Sequence, residues 1–203
     1  MSKKQFYLNN KRLKAEGVPL TFTDDQVLEL ARCATDPIYF TRKWVKIVSL
    51  DKGLINFDPW SYQEKMIRTF YKNRFTCVMM ARQYGKSLTV IAYILHQLIF
   101  NDNYSVAIFA NKRNSSKKLI QKLKTAYENL PFWMQQGVIE WNKESIKLEN
   151  GSNVEAGATT ESSGRSGSYN CICVESIITV RNKQTQQIEQ ITIQDLIQRL
   201  KKE

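Results

Sequence analysis

Hydrophobic and polar positions follow two periods along this chain, and the places where the period changes lay out its elements. In "TFTDDQVLELARCATDP", Val27, Leu28, Leu30 and Ala31 recur at helical spacing, with Thr23 as N-cap, Asp24 and Asp25 in the first turn and Pro37 as the stop. Residues 1–20 before it are polar, basic and weakly patterned, and read as a flexible arm. "PIYFTRKWVKIVSLDKGLINFDPW" mixes aromatic and β-branched residues around a "DKG" turn, which predicts a helix and then a hairpin. "SYQEKMIRTFYKN" returns to helical spacing, with Ser61 and Glu64 placed as a capping box. "RFTCVMMA", residues 74–81, is a short apolar run bounded by charge and predicts a buried parallel strand. The loop "RQYGK" then leads into a long apolar helix, "YSVAIFA" reads as a second buried strand, and "SSKKLIQKLKTAYENLP" as an amphipathic helix ending at Pro131. "GVIEWNKESIKLENGSNVEAGAT" predicts hairpin strands turning at "ENGS". Strand, loop, helix, strand, helix is the order of a parallel α/β sheet.

Composition narrows this picture. The chain has 203 residues, 42% of them hydrophobic, enough for about one domain with a real core. No apolar run approaches the roughly 18 residues of a membrane-spanning helix. The longest, "LTVIAYILHQLIF", contains His96 and Gln97 and suits a buried helix. The N-terminus is basic without the apolar region of a secretion signal, so a cytosolic location is expected. Cys33, Cys77, Cys171 and Cys173 are too few and too uneven for a disulfide framework, and the C-x-C pair lacks the partners of a zinc site. The formal charge is +11; up to residue 170 there are 25 basic and 15 acidic residues, and from 171 onward 5 and 4. The excess belongs to the first segment, where it fits either a polyanionic partner or a lysine-rich solvated surface.

The strongest chemical signal is Gly85-Lys86-Ser87, between the expected strand and the long helix. Backbone N–H groups at a helix start meet anionic oxygens, a lysine reaches the β- and γ-phosphates, and the hydroxyl ligates magnesium. The full pattern G-x-x-x-x-G-K-[ST] would begin with glycine at position 80, where this chain has Met80. Arg82, inside the loop, could stabilise charge on a γ-phosphate or pair with a neighbouring loop. In "FDPWSYQEKMI", the Gln63 amide could pair with an adenine edge beside Tyr62 or Trp60, or sit on an ordinary amphipathic helix.

Together these residues resemble the ATPase domain of the large terminase subunit, the DNA-packaging motor of tailed bacteriophages. "YFTRKWVKIVSLDKGLINFDPWSYQEKMI" is similar to its adenine-binding segment, "MMARQYGKSLTV" to its deviant Walker A, and "SVAIFANKRNSS" to the next strand and loop. "LPFWMQQGVIEWNKESIKLENGSNVEAGATTESSGRSGSYN" is similar to the hairpin and loop before the Walker B strand. The resemblance covers roughly residues 36–170, and a loop lacking its first glycine is itself a habit of the family. It implies ATP and Mg2+ as cofactors. It implies Ala81, Arg82, Gln83, Tyr84, Gly85, Lys86 and Ser87 as the phosphate loop, with Ser87 on magnesium and Arg82 and Lys86 catalytic. It also implies Gln63 at adenine and Arg165 near the nucleotide. Double-stranded DNA, a portal and a small terminase subunit follow as partners, in the cytoplasm of an infected bacterium and without a membrane. The Asp-Glu that should follow in the Walker B strand is absent, and Glu175-Ser176 is the nearest acidic site.

The tail "CICVESIITVRNKQTQQIEQITIQDLIQRLKKE" resembles the first splicing block of an intein: Cys171, then Glu175-Ser176, then "IITV". A strand carrying Ile188, Ile191 and Ile193 and a short helix from about Gln194 follow. This resemblance implies that the Cys171 thiolate attacks the Asn170 carbonyl, with Cys173 as the rival start. The expectation is an α/β chain: a 1–35 arm and helix, an incomplete P-loop NTPase over 36–170 lacking its Walker B strand, and a β-rich split-intein fragment over 171–203. A second polypeptide would carry the remaining intein, the Walker B strand and the nuclease. Until joined to it by trans-splicing, the chain would be inactive. The alternatives are a helicase-like P-loop ATPase, and a nucleotide- or DNA-binding module without splicing.

Overall fold

A computed structural model of the chain describes residues 5–49, 51–81, 83–158, 168–175, 178–181 and 188–191. The expected flexible arm is docked from residue 5 onward. Leu13 is 1% exposed, Ala15 bridges Val138, and the Lys14 ammonium meets the Glu149 carboxylate at 3.0 Å. Gln135 accepts from Lys14 N–H at 3.1 Å and donates to the Arg12 carbonyl at 3.0 Å. A few scattered apolar side chains, Phe6, Tyr7 and Leu13, and a set of distant polar partners hold the segment, and neither leaves a periodic trace in it.

Helix α1, Asp24–Thr35, starts where Thr23 predicts, with Thr23 and Gln26 bonded reciprocally. Its buried face differs from the expected one: Val27 and Leu28 are 52% and 69% exposed, and Cys33 is buried instead. The rotation is set by Glu29, which accepts from Tyr39 Oη, Lys43 Nζ and Trp44 Nε1 at 2.7–3.0 Å on helix α2, Pro37–Trp44. Burial raises the Glu29 pKa, but these donors outweigh it and hold the carboxyl at about 2. Strands β1, Lys46–Ser49, and β2, Gly53–Asn56, form the expected hairpin, with Gly53 at φ 66° in the turn. Helix α3 spans Ser61–Lys72, but its cap is Trp60 rather than Ser61. Gln63, not Glu64, closes the box by accepting from Trp60 N–H at 2.9 Å, while Glu64 pairs with Arg42.

Residues 74–81 form no strand. They run exposed between helices, with Phe75 86% exposed. A strand needs a hydrogen-bonded neighbour. Strand β3, Ser105–Ala110, pairs with two other strands, and no described strand pairs with this run. Between them lies α4, Lys86–Phe100, whose Ile91, Ala92, Ile94, Leu95 and Leu98 fill the core. Its far end is stitched to a turn. Asn150 Nδ2 donates to the carbonyls of Leu98 and Asn101 at 2.9 and 3.1 Å, and Ser152 Oγ also donates to Asn101. Gln136 Nε2 takes the Ile99 carbonyl at 3.0 Å. These donors satisfy carbonyls that a helix end leaves without intrahelical partners.

Helix α5, Arg113–Glu128, packs on α4 and on the sheet. Strands β4, Val138–Trp141, β5, Ser145–Leu148, and β6, Asn153–Ala158, pair antiparallel through the predicted turn, where Gly151 sits at φ 81°. Strand β7, Cys171–Glu175, completes a mixed five-stranded sheet in the order β4-β5-β6-β3-β7. Strand β3 runs parallel to both β6 and β7.

The sheet therefore does not stop before residue 171, as expected, but runs across it. Asn170 N–H donates to the Ser105 carbonyl, its Oδ1 accepts from Ser105 N–H, both at 2.9 Å, and Cys171 then pairs with Val106. The apolar run "CICV" provides β-compatible residues, and Asn170 sets their register. Strands β8, Ile178–Arg181, and β9, Ile188–Ile191, form a separate antiparallel pair. The helix expected from Gln194, and Ile193, lie outside the described residues. No helix among the described residues is long and apolar enough to cross a membrane.

Candidate phosphate-binding site

Gly85 stands at the N-cap of α4 in the left-handed region, φ 70° and ψ 10°, preceded by Gln83 at φ 67°. Glycine adopts this conformation at little cost, whereas a side chain strains it. Gly85 accepts from Leu88 and Thr89 N–H at 3.0 and 3.1 Å, which starts the helix, but it has no side chain to cap it. The first turn carries no acidic residue; instead Lys86 opens the helix. A cation at the positive end of a helix dipole is unfavourable unless anions surround it. Here Lys86 Nζ is folded back onto the carbonyls of Met80 and Ala81, at 2.9 and 2.7 Å. Those oxygens occupy, in chemical terms, the place of anionic ligand oxygens.

The loop leans on α3. Tyr62 Oη donates to the Tyr84 carbonyl at 3.4 Å and the two rings stand 6.3 Å apart. Gln63 is 3% exposed, and a Cβ on Gly85 would stand 2.3 Å from its Nε2. The family resemblance placed Gln63 and Gly85 in one site, but nothing in the sequence carried a sign of this contact.

The structure thus brings Gln63, Ala81, Gln83, Tyr84, Gly85, Lys86 and Ser87 into one region. Arg82 and Arg165 lie outside the described residues. By register, Ala158 of β6, Ala110 of β3 and Glu175 of β7 end together at the carboxyl edge of the parallel strands. That edge is where open α/β sheets bind ligands. The residues present fit a magnesium–nucleotide: a left-handed glycine at a helix start, a lysine held by oxygens and a hydroxyl one residue into the helix.

Asn170 and Cys171 stand apart from this group, inside the β3–β7 ladder. Cys171 and Cys173 point to the same face of β7 with sulfurs 3.6 Å apart. The contact with Cys173 lowers the Cys171 pKa, against the opposing effect of burial. The same contact, with burial, raises that of Cys173.

A family model described as the N-terminal part of the T4-like-virus-type terminase large subunit matches residues 77–191, over half of the chain and across the Asn170–Cys171 bond.

Proposed function

We propose, from the premise that this chain belongs to the family of T4-like-virus-type terminase large subunits, that residues 80–87 are the phosphate loop of an ATPase that packages phage DNA. Members of this family are ATP-driven packaging motors. The observation that carries the loop assignment is Lys86, a cation at a helix start whose partners are two backbone oxygens of its own loop. On binding, Lys86 exchanges those carbonyls for β- and γ-phosphate oxygens, and the backbone N–H groups of Gly85 and Lys86 join it. Ser87 offers its hydroxyl to magnesium. Magnesium–ATP supplies the transferable phosphoryl group. The protein supplies position and positive potential. Arg82 is assigned to the γ-phosphate and Arg165 to the neighbourhood of the nucleotide, and duplex DNA, the portal and the small subunit are the partners this role requires.

The test is binding of a fluorescent ATP analogue to the full chain. Lys86→Ala should weaken it by at least about tenfold, the value of one charge-assisted contact, and Ser87→Ala should remove its dependence on magnesium. Unchanged affinity in Lys86→Ala would overturn the loop assignment.

A second reading concerns the tail. The separate β8–β9 pair and the lowered Cys171 thiol favour splicing at Cys171. In that step the thiolate attacks the Asn170 carbonyl carbon, the amide C–N bond breaks, a thioester forms and the freed Cys171 amine takes up a proton. The β3–β7 ladder stands against it, because the scissile peptide must first leave the sheet. The remaining intein, the Walker B strand and the nuclease would come from a second polypeptide. Peptide mapping of the large subunit from infected cells separates the readings. A mature chain lacking residues 171–203 supports splicing, and an intact peptide across Asn170–Cys171 refutes it.

A further inference from the structure

We propose that Gln63 positions the phosphate loop rather than reading the base of the nucleotide. This rests on the phosphate-loop reading above and goes beyond it. The amide orientation follows from α3 itself. Its Oε1 accepts from Trp60 N–H at 2.9 Å, a bond only the oxygen can make, so Nε2 is turned the other way. On that side stands Gly85, close enough that a Cβ there would lie 2.3 Å from Nε2. The side chain is 3% exposed, so it is held in this one orientation. One residue earlier on α3, Tyr62 reaches the carbonyl of Tyr84. Consecutive residues of the helix start therefore meet consecutive residues of the loop, Tyr62 bonded to Tyr84 and Gln63 packed against Gly85.

Recognition of an adenine edge needs the amide oxygen and nitrogen side by side, facing the base. Here the oxygen is committed to the start of α3 and the nitrogen lies against Gly85 of the loop, so no such edge is presented. The contact instead keeps Gly85 in the left-handed conformation that opens the first turn of α4 to phosphate. Loss of Gln63 then acts on the triphosphate and not on the base.

Inorganic tripolyphosphate, which has no base, separates the two roles. The full chain is titrated with magnesium tripolyphosphate and with magnesium ATP, and amide hydrogen exchange of residues 83–87 is followed without ligand. Gln63→Met should weaken both ligands by the same factor, roughly tenfold, and speed exchange in the loop. Gln63→Glu keeps the acceptor for Trp60 N–H and so retains the start of α3, and it should speed loop exchange in the same way. If Gln63→Met loses ATP but binds tripolyphosphate like the parent, or if neither variant changes loop exchange, the proposal falls while the loop reading stands. If the parent chain binds neither ligand, the loop reading falls. The exchange measurement then still decides whether Gln63 orders the loop.

Discussion

His96 shows how one buried side chain ties the stability of this chain to pH. It is 2% exposed, with Nδ1 against the Tyr71 hydroxyl and Nε2 donating to the Cys33 carbonyl at 2.9 Å, so both ring nitrogens are used by the neutral form. Burial lowers its pKa from 6.5 to about 4, against a smaller opposing pull from the Cys33 carbonyl. The unfolded chain therefore binds the proton more readily, and stability rises with pH between the two values. The contribution is complete above pH 6.5 and lost as pH falls toward 4, about 3 kcal/mol over that interval. Urea midpoints at pH 7.5 and 4.5 should show this drop. His96→Gln, which keeps a donor and an acceptor, should flatten it, and an equal drop in both proteins would exclude His96 as its source. Nothing in "AYILHQLIF" distinguishes this histidine from a ligand. Its two partners are 25 and 63 residues away in sequence.

At the level of elements, what is local in sequence was legible and what is paired across the fold was not. The start of α1 was visible in Thr23, and the ends of α1 and α5 in Pro37 and Pro131, because caps and breakers act within a turn. The run at 74–81 has a strand's composition, yet a strand is a relation between two segments, and β6 and β7 already flank β3. The same reasoning hid β7, whose partner lies 65 residues earlier. In the candidate site, Gly85, Lys86 and Ser87 stood out as a tripeptide. The cap that turns Gln63 toward them emerges only once α3 starts at Ser61, one residue after Trp60. The docked arm is the plainest case: Lys14 and Glu149 are 135 residues apart and 6% and 25% exposed. Lys14→Met leaves a partly buried carboxylate without its cation and should cost about 2–4 kcal/mol, read from denaturant midpoints. It should also speed proteolysis within residues 5–17. Parent-like values in both would mean that the arm is held without the ion pair.

For the whole molecule, the charge of +11 fits the duplex DNA proposed above as partner, and binding to it would depend on counterion release. Binding should weaken at least about tenfold between roughly 50 and 200 mM salt; a flat response would detach the basic surface from nucleic acid. The way α4 is fastened bears on how such a machine converts its fuel into movement. A 15-residue helix is about 22 Å long, with the proposed phosphate loop at one tip and Asn150, Ser152 and Gln136 gripping the other. A rod clamped at one tip cannot slide. Displacement of its loop end would tilt it about the fastened end, by about three degrees for each ångström over that length. In the proposed motor the helix would serve as a crank with its pivot at that fastened end.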